Sequence, residues 1–157
     1  MNTAFDALGR VLSAMVLLMC ATMTITVALR YFLGVGSVGL QELSLYFHGT
    51  VIMLGAGYTL LHDGHVRVDI FYREWSARRR AWVDLLGTLL LLMPFAIFVG
   101  ASSWSYVASA WSLLEGSPEA GGLPGVFLLK TMIPLMGVLL GVAGGMRGRS
   151  LLRELRQ

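Results

Sequence analysis

Four apolar runs, each close to the length that crosses a bilayer, constrain this chain more than any other feature. They cover residues 11–29 between Arg10 and Arg30, 43–61 between Glu42 and His62, about 85–107 after Asp84, and about 125–146 ahead of Arg147. A helix needs about 20 mostly apolar residues to cross about 30 Å of hydrocarbon. That interior admits only structures that satisfy their own backbone hydrogen bonds. The runs therefore predict an all-α integral membrane protein with four transmembrane helices. Only 13% of the residues are charged and 56% are hydrophobic, with a mean hydropathy of +0.72. A soluble domain carries about 25% charged residues, so a water-facing fold is excluded. Too little sequence lies outside the runs for a second unit, and residues 1–157 read as a single domain.

The first run follows a basic residue near the N-terminus, as the core of a signal peptide would. It is longer than the roughly 7–15 apolar residues of such a core, and Thr26-Val27-Ala28 makes a poor cleavage site. It reads as an uncleaved helix.

Placing the positive charges gives an orientation, because Arg and Lys concentrate in cytoplasmic loops. With four spans, Arg10, then Arg67, Arg73, Arg78, Arg79 and Arg80, then Arg147, Arg149, Arg153 and Arg156 share one side. Arg30 and Lys130 are left for the other. Both termini are thus expected in the cytoplasm, and the loop 111–122, with Glu115 and Glu119, on the outside. The net charge of +3 is explained by this asymmetry and calls for no nucleic-acid partner.

The cytoplasmic segment 62–84 has its own pattern. Val68, Phe71, Tyr72 and Trp75 recur at helical spacing, with Arg67, Glu74 and Arg78 off that stripe. The spacing predicts an amphipathic interfacial helix between the second and third spans, its aromatic face in the lipid boundary. A strand is the competing reading, since His65, Arg67 and Asp69 alternate with Val66, Val68 and Ile70. An isolated strand at a membrane surface would leave its backbone groups unpaired, which favours the helix. The segment is either an electrostatic anchor or a brace against another membrane subunit.

The polar groups near the spans have bland explanations. Glu42 opens the second span, where a helix N-terminus favours a carboxylate. Arg30 is placed to snorkel or to pair with Glu42, and Lys130 to reach the outer interface or a partner's carboxylate. Pro134 frees the carbonyl of Lys130, so a kink or a broken helix is expected there. Ser102, Ser103 and Ser105 are expected to bond within the bundle. His48 is the only histidine inside a span and has no facing partner for haem. Cys20 is a single cysteine and cannot form an internal disulfide or a thiolate cluster. GxSxG, HExxH, Walker and CxxC patterns are absent, so no enzyme and no cofactor are expected. No span carries a carboxylate near its middle, where a proton- or sodium-coupled carrier would need one. An accessory subunit fits that absence.

Several motifs, taken in order, resemble a known family. Arg30-Tyr31 closes the first span, Glu42-Leu43 opens the second, and Gly55-Ala56 lies within it. Gly64-His65-Val66-Arg67-Val68-Asp69 follows, then Leu123-Pro124 and Pro134 with Gly137. This set resembles the small, DctQ-type membrane subunit of a tripartite ATP-independent periplasmic (TRAP) transporter. It departs from the pattern at Leu40, where tryptophan is usual, and at Gln41-Glu42, where two acids are common.

The resemblance implies a non-catalytic scaffold in a bacterial or archaeal inner membrane, part of a sodium-coupled uptake system for organic acids such as dicarboxylates or sugar acids. Its partners would be a large membrane subunit that transports and a periplasmic solute-binding protein that delivers substrate. His65, Arg67, Asp69, Phe71, Tyr72 and Trp75 would then contact the large subunit. Arg30, Glu42 and Lys130 would lie where the binding protein docks, and Gly55, Gly64, Pro124 and Pro134 would be structural. Two alternatives stand beside it. A small four-helix exporter usually relies on a carboxylate in its first span, which this chain lacks; a membrane anchor of a redox enzyme would need paired histidines.

Overall fold

The computed structural model describes residues 3–66, 70, 72 and 74–156, and these are helical except at turns and connections. Helix α1 (Thr3–Leu33) has Asp6 in its first turn and Arg30 in its last, both favourable to the helix dipole. A connection over 34–37 leads to α2 (Val38–Leu61), where the Ser37 side chain accepts from the Leu40 N–H at 3.3 Å. The C-terminus of α2 closes with the Gly64 N–H on the Thr59 carbonyl at 2.9 Å. Asp63, with φ of 54°, takes the left-handed position that glycine usually fills. Gly64, expected to be structural, is thus the residue after the turn rather than the turn itself.

The third apolar run begins earlier than expected. Helix α3 (Ala77–Gly87) already contains Arg78, Arg79, Arg80 and Asp84. It passes through a π-helical turn (Thr88–Leu92) into α4 (Met93–Ser102), and through Ser103 into α5 (Trp104–Ser112). The π turn has a local cause. Pro94 has no N–H to donate and its ring crowds the Leu90 carbonyl, so the helix widens just upstream. At the second break the Ser103 hydroxyl bonds the Val99 carbonyl at 2.7 Å. Helix α6 (Val126–Arg156) continues through Pro134, so of the kink or broken helix expected there the break does not form.

Among the described residues, three helices are long and apolar enough to cross a membrane: Thr3–Leu33, Ala77–Ser112 and Val126–Arg156. The second apolar run forms α2, a helix of 24 residues that is not one of these three, its apolar character diluted by Gln41, Glu42, Ser44, His48 and its glycines. The interfacial helix is not seen in the residues described. Ile70, Tyr72 and Glu74 are turns and Trp75 a bend, and the helix starts only at Ala77. Arg67, Val68, Asp69, Phe71 and Arg73 lie outside the described residues.

Glycine contacts show how the helices pair. Gly55 of α2 faces Leu12 of α1 and Gly9 faces Tyr58, an antiparallel match. Gly49 and Gly57 of α2 meet Leu129 and Leu139 of α6, a parallel match. Gly137, Gly144 and Gly148 of α6 descend along Ala96 and Gly100, Leu92, then Leu85 and Thr88, antiparallel again. The spatial order is therefore α1, α2, α6 and then the α3–α5 rod. Backbones of α1 and α6, or of α2 and α4, do not approach each other. Among the described residues this is an open row rather than the closed bundle that four spans suggest. Its core is correspondingly thin. Among the described residues no large side chain is fully buried, and Ala81, Leu85 and Leu151 form a buried apolar cluster.

Candidate functional site

The row has two ends that differ in kind. One carries the connections 34–37 and 113–125; the other carries both chain termini and the 62–76 connection. Each end holds a cluster of charges, and the acids described all lie toward one end or the other.

At the loop end, Glu42, just past the first turn of α2, reaches across to the 113–125 connection. Its carboxylate accepts a bond from the Ser117 hydroxyl and one from the Leu123 N–H, the latter at 2.6 Å. These two donors, the hydroxyl first, hold its carboxyl below the usual carboxylate range against the opposing effect of desolvation. The chain leaves α5 through Leu114, whose φ of 44° is uncommon for a non-glycine residue. The Glu115 N–H then returns to the Ala110 carbonyl at 3.0 Å, which turns the Glu115 side chain toward α6. There Lys130 donates to both carboxylate oxygens, at 2.7 and 2.6 Å, with its Nζ 4.0 Å from the centroid of the Tyr106 ring. Trp111 donates to the Thr131 hydroxyl at 2.9 Å and packs edge-on against Phe127. This connection is therefore pinned to α2, α5 and α6 at once.

These contacts revise the expectations for three residues. Glu42 does not pair with Arg30; its partners are Ser117 and Leu123, and Arg30 is exposed, with no ion pair among the described residues. Lys130 finds its carboxylate inside the chain. Leu123-Pro124 is placed by its backbone, since Leu123 supplies an amide to Glu42 and a carbonyl to the Ser117 N–H at 3.0 Å.

At the terminal end, Arg147 of α6 joins two elements. Its Nη2 lies 3.2 Å from Asp63, just past α2, and 3.1 Å from Asp84 of α3. Tyr72 donates its hydroxyl to Asp84 at 2.8 Å, so this aromatic side chain points into the network instead of into lipid. His62 lies 3.0 Å from Asp6 and stacks on Tyr58. Of the residues expected to contact a partner, His65 is exposed, Trp75 is partly exposed beside Tyr72, and Arg67, Asp69 and Phe71 are outside the described residues.

Between the ends the described contacts are apolar or local apart from one polar bridge. Thr22 and Ser44 share a hydrogen bond of 2.8 Å between α1 and α2, and His48 is exposed on α2. The glycine pressed most closely against another helix's backbone is Gly137, where an added Cβ would lie 2.8 Å from the Ala96 carbonyl oxygen. Gly57 is next to the Leu139 backbone at 3.1 Å, whereas Gly55 has ordinary clearance of 3.8 Å. Sequence reading names both Gly55 and Gly137, the latter with Pro134, but does not show that Gly137 is the one pressed against α4. Among the described residues no group of three or more His, Cys, Asp or Glu side chains is arranged to hold a metal.

The outside of the row is strongly apolar, with Leu17 72%, Leu91 73% and Phe98 67% exposed. Such faces belong in lipid or against another membrane protein. No curated protein matches the chain. A family profile described as tripartite ATP-independent periplasmic transporters, DctQ component, matches residues 19–154, from the middle of α1 to the end of α6. With its apolar helices and that match over most of its length, the chain belongs to the DctQ component family of tripartite ATP-independent periplasmic transporters.

Proposed function

We propose that the chain is the static small subunit of a sodium-coupled organic-acid uptake system, with all four of α1, α2, α3–α5 and α6 spanning the inner membrane and both termini in the cytoplasm. The observation that carries this reading is the placement of charge. The described acids sit toward the ends of the row, and Glu42, Glu115, Asp63 and Asp84 are each engaged by a donor of the same chain. A carrier needs an ionisable or backbone site at mid-depth that binds and releases its ion. A scaffold needs a rigid row with open apolar faces. The large subunit would cover one such face and perform transport. The pinned 113–125 connection would present a fixed surface to the binding protein on the periplasmic side, with Arg30 free to contact it.

The charge asymmetry supports the orientation, and the length of α2 supports a fourth crossing, because 24 residues suffice for about 30 Å. Affinity-tagged chain should bring down a much larger membrane subunit, and uptake in proteoliposomes should require both, plus a binding protein and a sodium gradient. Substrate uptake by this chain alone would overturn the reading. A reporter at Ser117 should report the periplasm, and one at the C-terminus the cytoplasm.

A further inference from the structure

A cleft of about 960 Å³ opens at the terminal end between the start of α1, the end of α2, the start of α3 and the end of α6. That lies within the range of about 300–1,000 Å³ typical of ligand pockets. We infer that it binds the phosphodiester of an anionic phospholipid, with the Arg80 guanidinium as the principal counter-charge.

The cleft is lined by the guanidiniums of Arg80 and Arg147 and the carboxylates of Asp63, Asp84 and Glu154, and the pairing among them is uneven. Arg147 is shared by Asp63 and Asp84, and His62 is held by Asp6. Arg80 lines the same space one helical turn before Asp84, and among the described residues it makes no ion pair. Its Nε is buried without a hydrogen-bond acceptor, and its guanidinium lies 6.0 Å from the centroid of the Tyr72 ring. A buried guanidinium N–H with no acceptor is costly, and five fixed donors suit the oxygens of a phosphate. The start of α3 adds to this demand. Ser76 makes no side-chain cap, and Ala77 also lines the cleft, so the positive end of α3 faces the same volume.

The remaining wall selects among anions. Phe5, Leu61 and Leu151 line the cleft, which suits the glycerol and first methylenes of a lipid better than a free ion. The cleft also lies just beyond the apolar runs, at the depth of headgroups, where basic pockets between transmembrane helices take acidic lipids. Three carboxylates oppose an anion: Asp63 and Asp84, both already on Arg147, and Glu154, exposed at the rim.

The test is lipid binding by the full chain in phosphatidylcholine nanodiscs, titrated with phosphatidylglycerol and followed by native mass spectrometry. Wild type should prefer phosphatidylglycerol, and Arg80→Gln should weaken that binding about tenfold. Arg149→Gln removes the same charge from an exposed position outside the cleft and should leave the affinity unchanged. Glu154→Gln should tighten it, an outcome that remains readable even if Arg80→Gln does not fold. Equal affinity for the two lipids, equal losses in Arg80→Gln and Arg149→Gln, or no change in Glu154→Gln would each overturn the inference. Displacement by inorganic phosphate at matching concentration would also overturn it, by assigning the site to a soluble anion.

Discussion

At Lys130 a cation inside a proposed span is neutralised by Glu115, and the two can meet only because Leu114 reverses the chain after α5. Swapping the charges tests whether the pair or merely each residue matters. Lys130→Glu and Glu115→Lys should each lower the unfolding temperature in detergent, and the double exchange should lower it by less than the two together; simple additivity would show no coupling. Glu42 makes a pH prediction. Its carboxyl is held below the usual range in the folded chain, so its clamp contributes stability above the unfolded carboxylate range, near pH 4, and loses it as pH falls toward the lower folded value. Protease cleavage within 113–125 should therefore be slow at neutral pH and rise severalfold in acid. Glu42→Gln should cleave faster at neutral pH and lose most of that pH dependence. None of these partners was legible in sequence. Glu42 and Leu123 are 81 positions apart, and the sequence marks a charge without marking what the fold brings to it.

Helix pairing depends on where a side chain is missing. Gly137→Ala would drive a methyl group to 2.8 Å from the Ala96 carbonyl oxygen and 3.0 Å from the Gly100 nitrogen, both backbone atoms that cannot rotate away. It should destabilise the protein by about 1–3 kcal/mol. Gly141→Ala, one turn further along α6, meets only the Ala96 Cβ at 4.0 Å and should be neutral or stabilising by about 0.5–1 kcal/mol. Denaturation of the two variants in matched detergent separates them, and equal stabilities would remove the close-packing account. At this scale the four apolar runs were readable because length and hydropathy are local properties. The π turn before Pro94 and the delayed helix start at Ala77 were less readable. Each reflects competition between backbone bonding and neighbouring packing, as when Tyr72 turns inward to Asp84 and leaves the lipid-facing stripe.

Across the whole molecule, the open row leaves most apolar surface without an intramolecular partner. Spin labels at Leu17 and Phe98, both strongly exposed, should be accessible to lipid-soluble oxygen in the isolated chain. When the large subunit is bound, at least one label should become protected. Protection of neither, in a complex shown to be intact, would mean that the partner grips only the ends of the row.

The sequence by itself determined that the chain is helical and apolar, which family pattern it follows, and that its charges avoid the middle of the runs. Those properties follow from residue type and spacing along one strand of chain. Only the tertiary structure decided that α6 sits between α2 and the α3–α5 rod, that glycines set those crossings, and that Glu42, Lys130 and Arg147 find their partners within the chain. Helices of similar hydropathy are interchangeable until close packing and hydrogen-bond geometry choose between them, and those interactions exist only once residues distant in sequence are in contact.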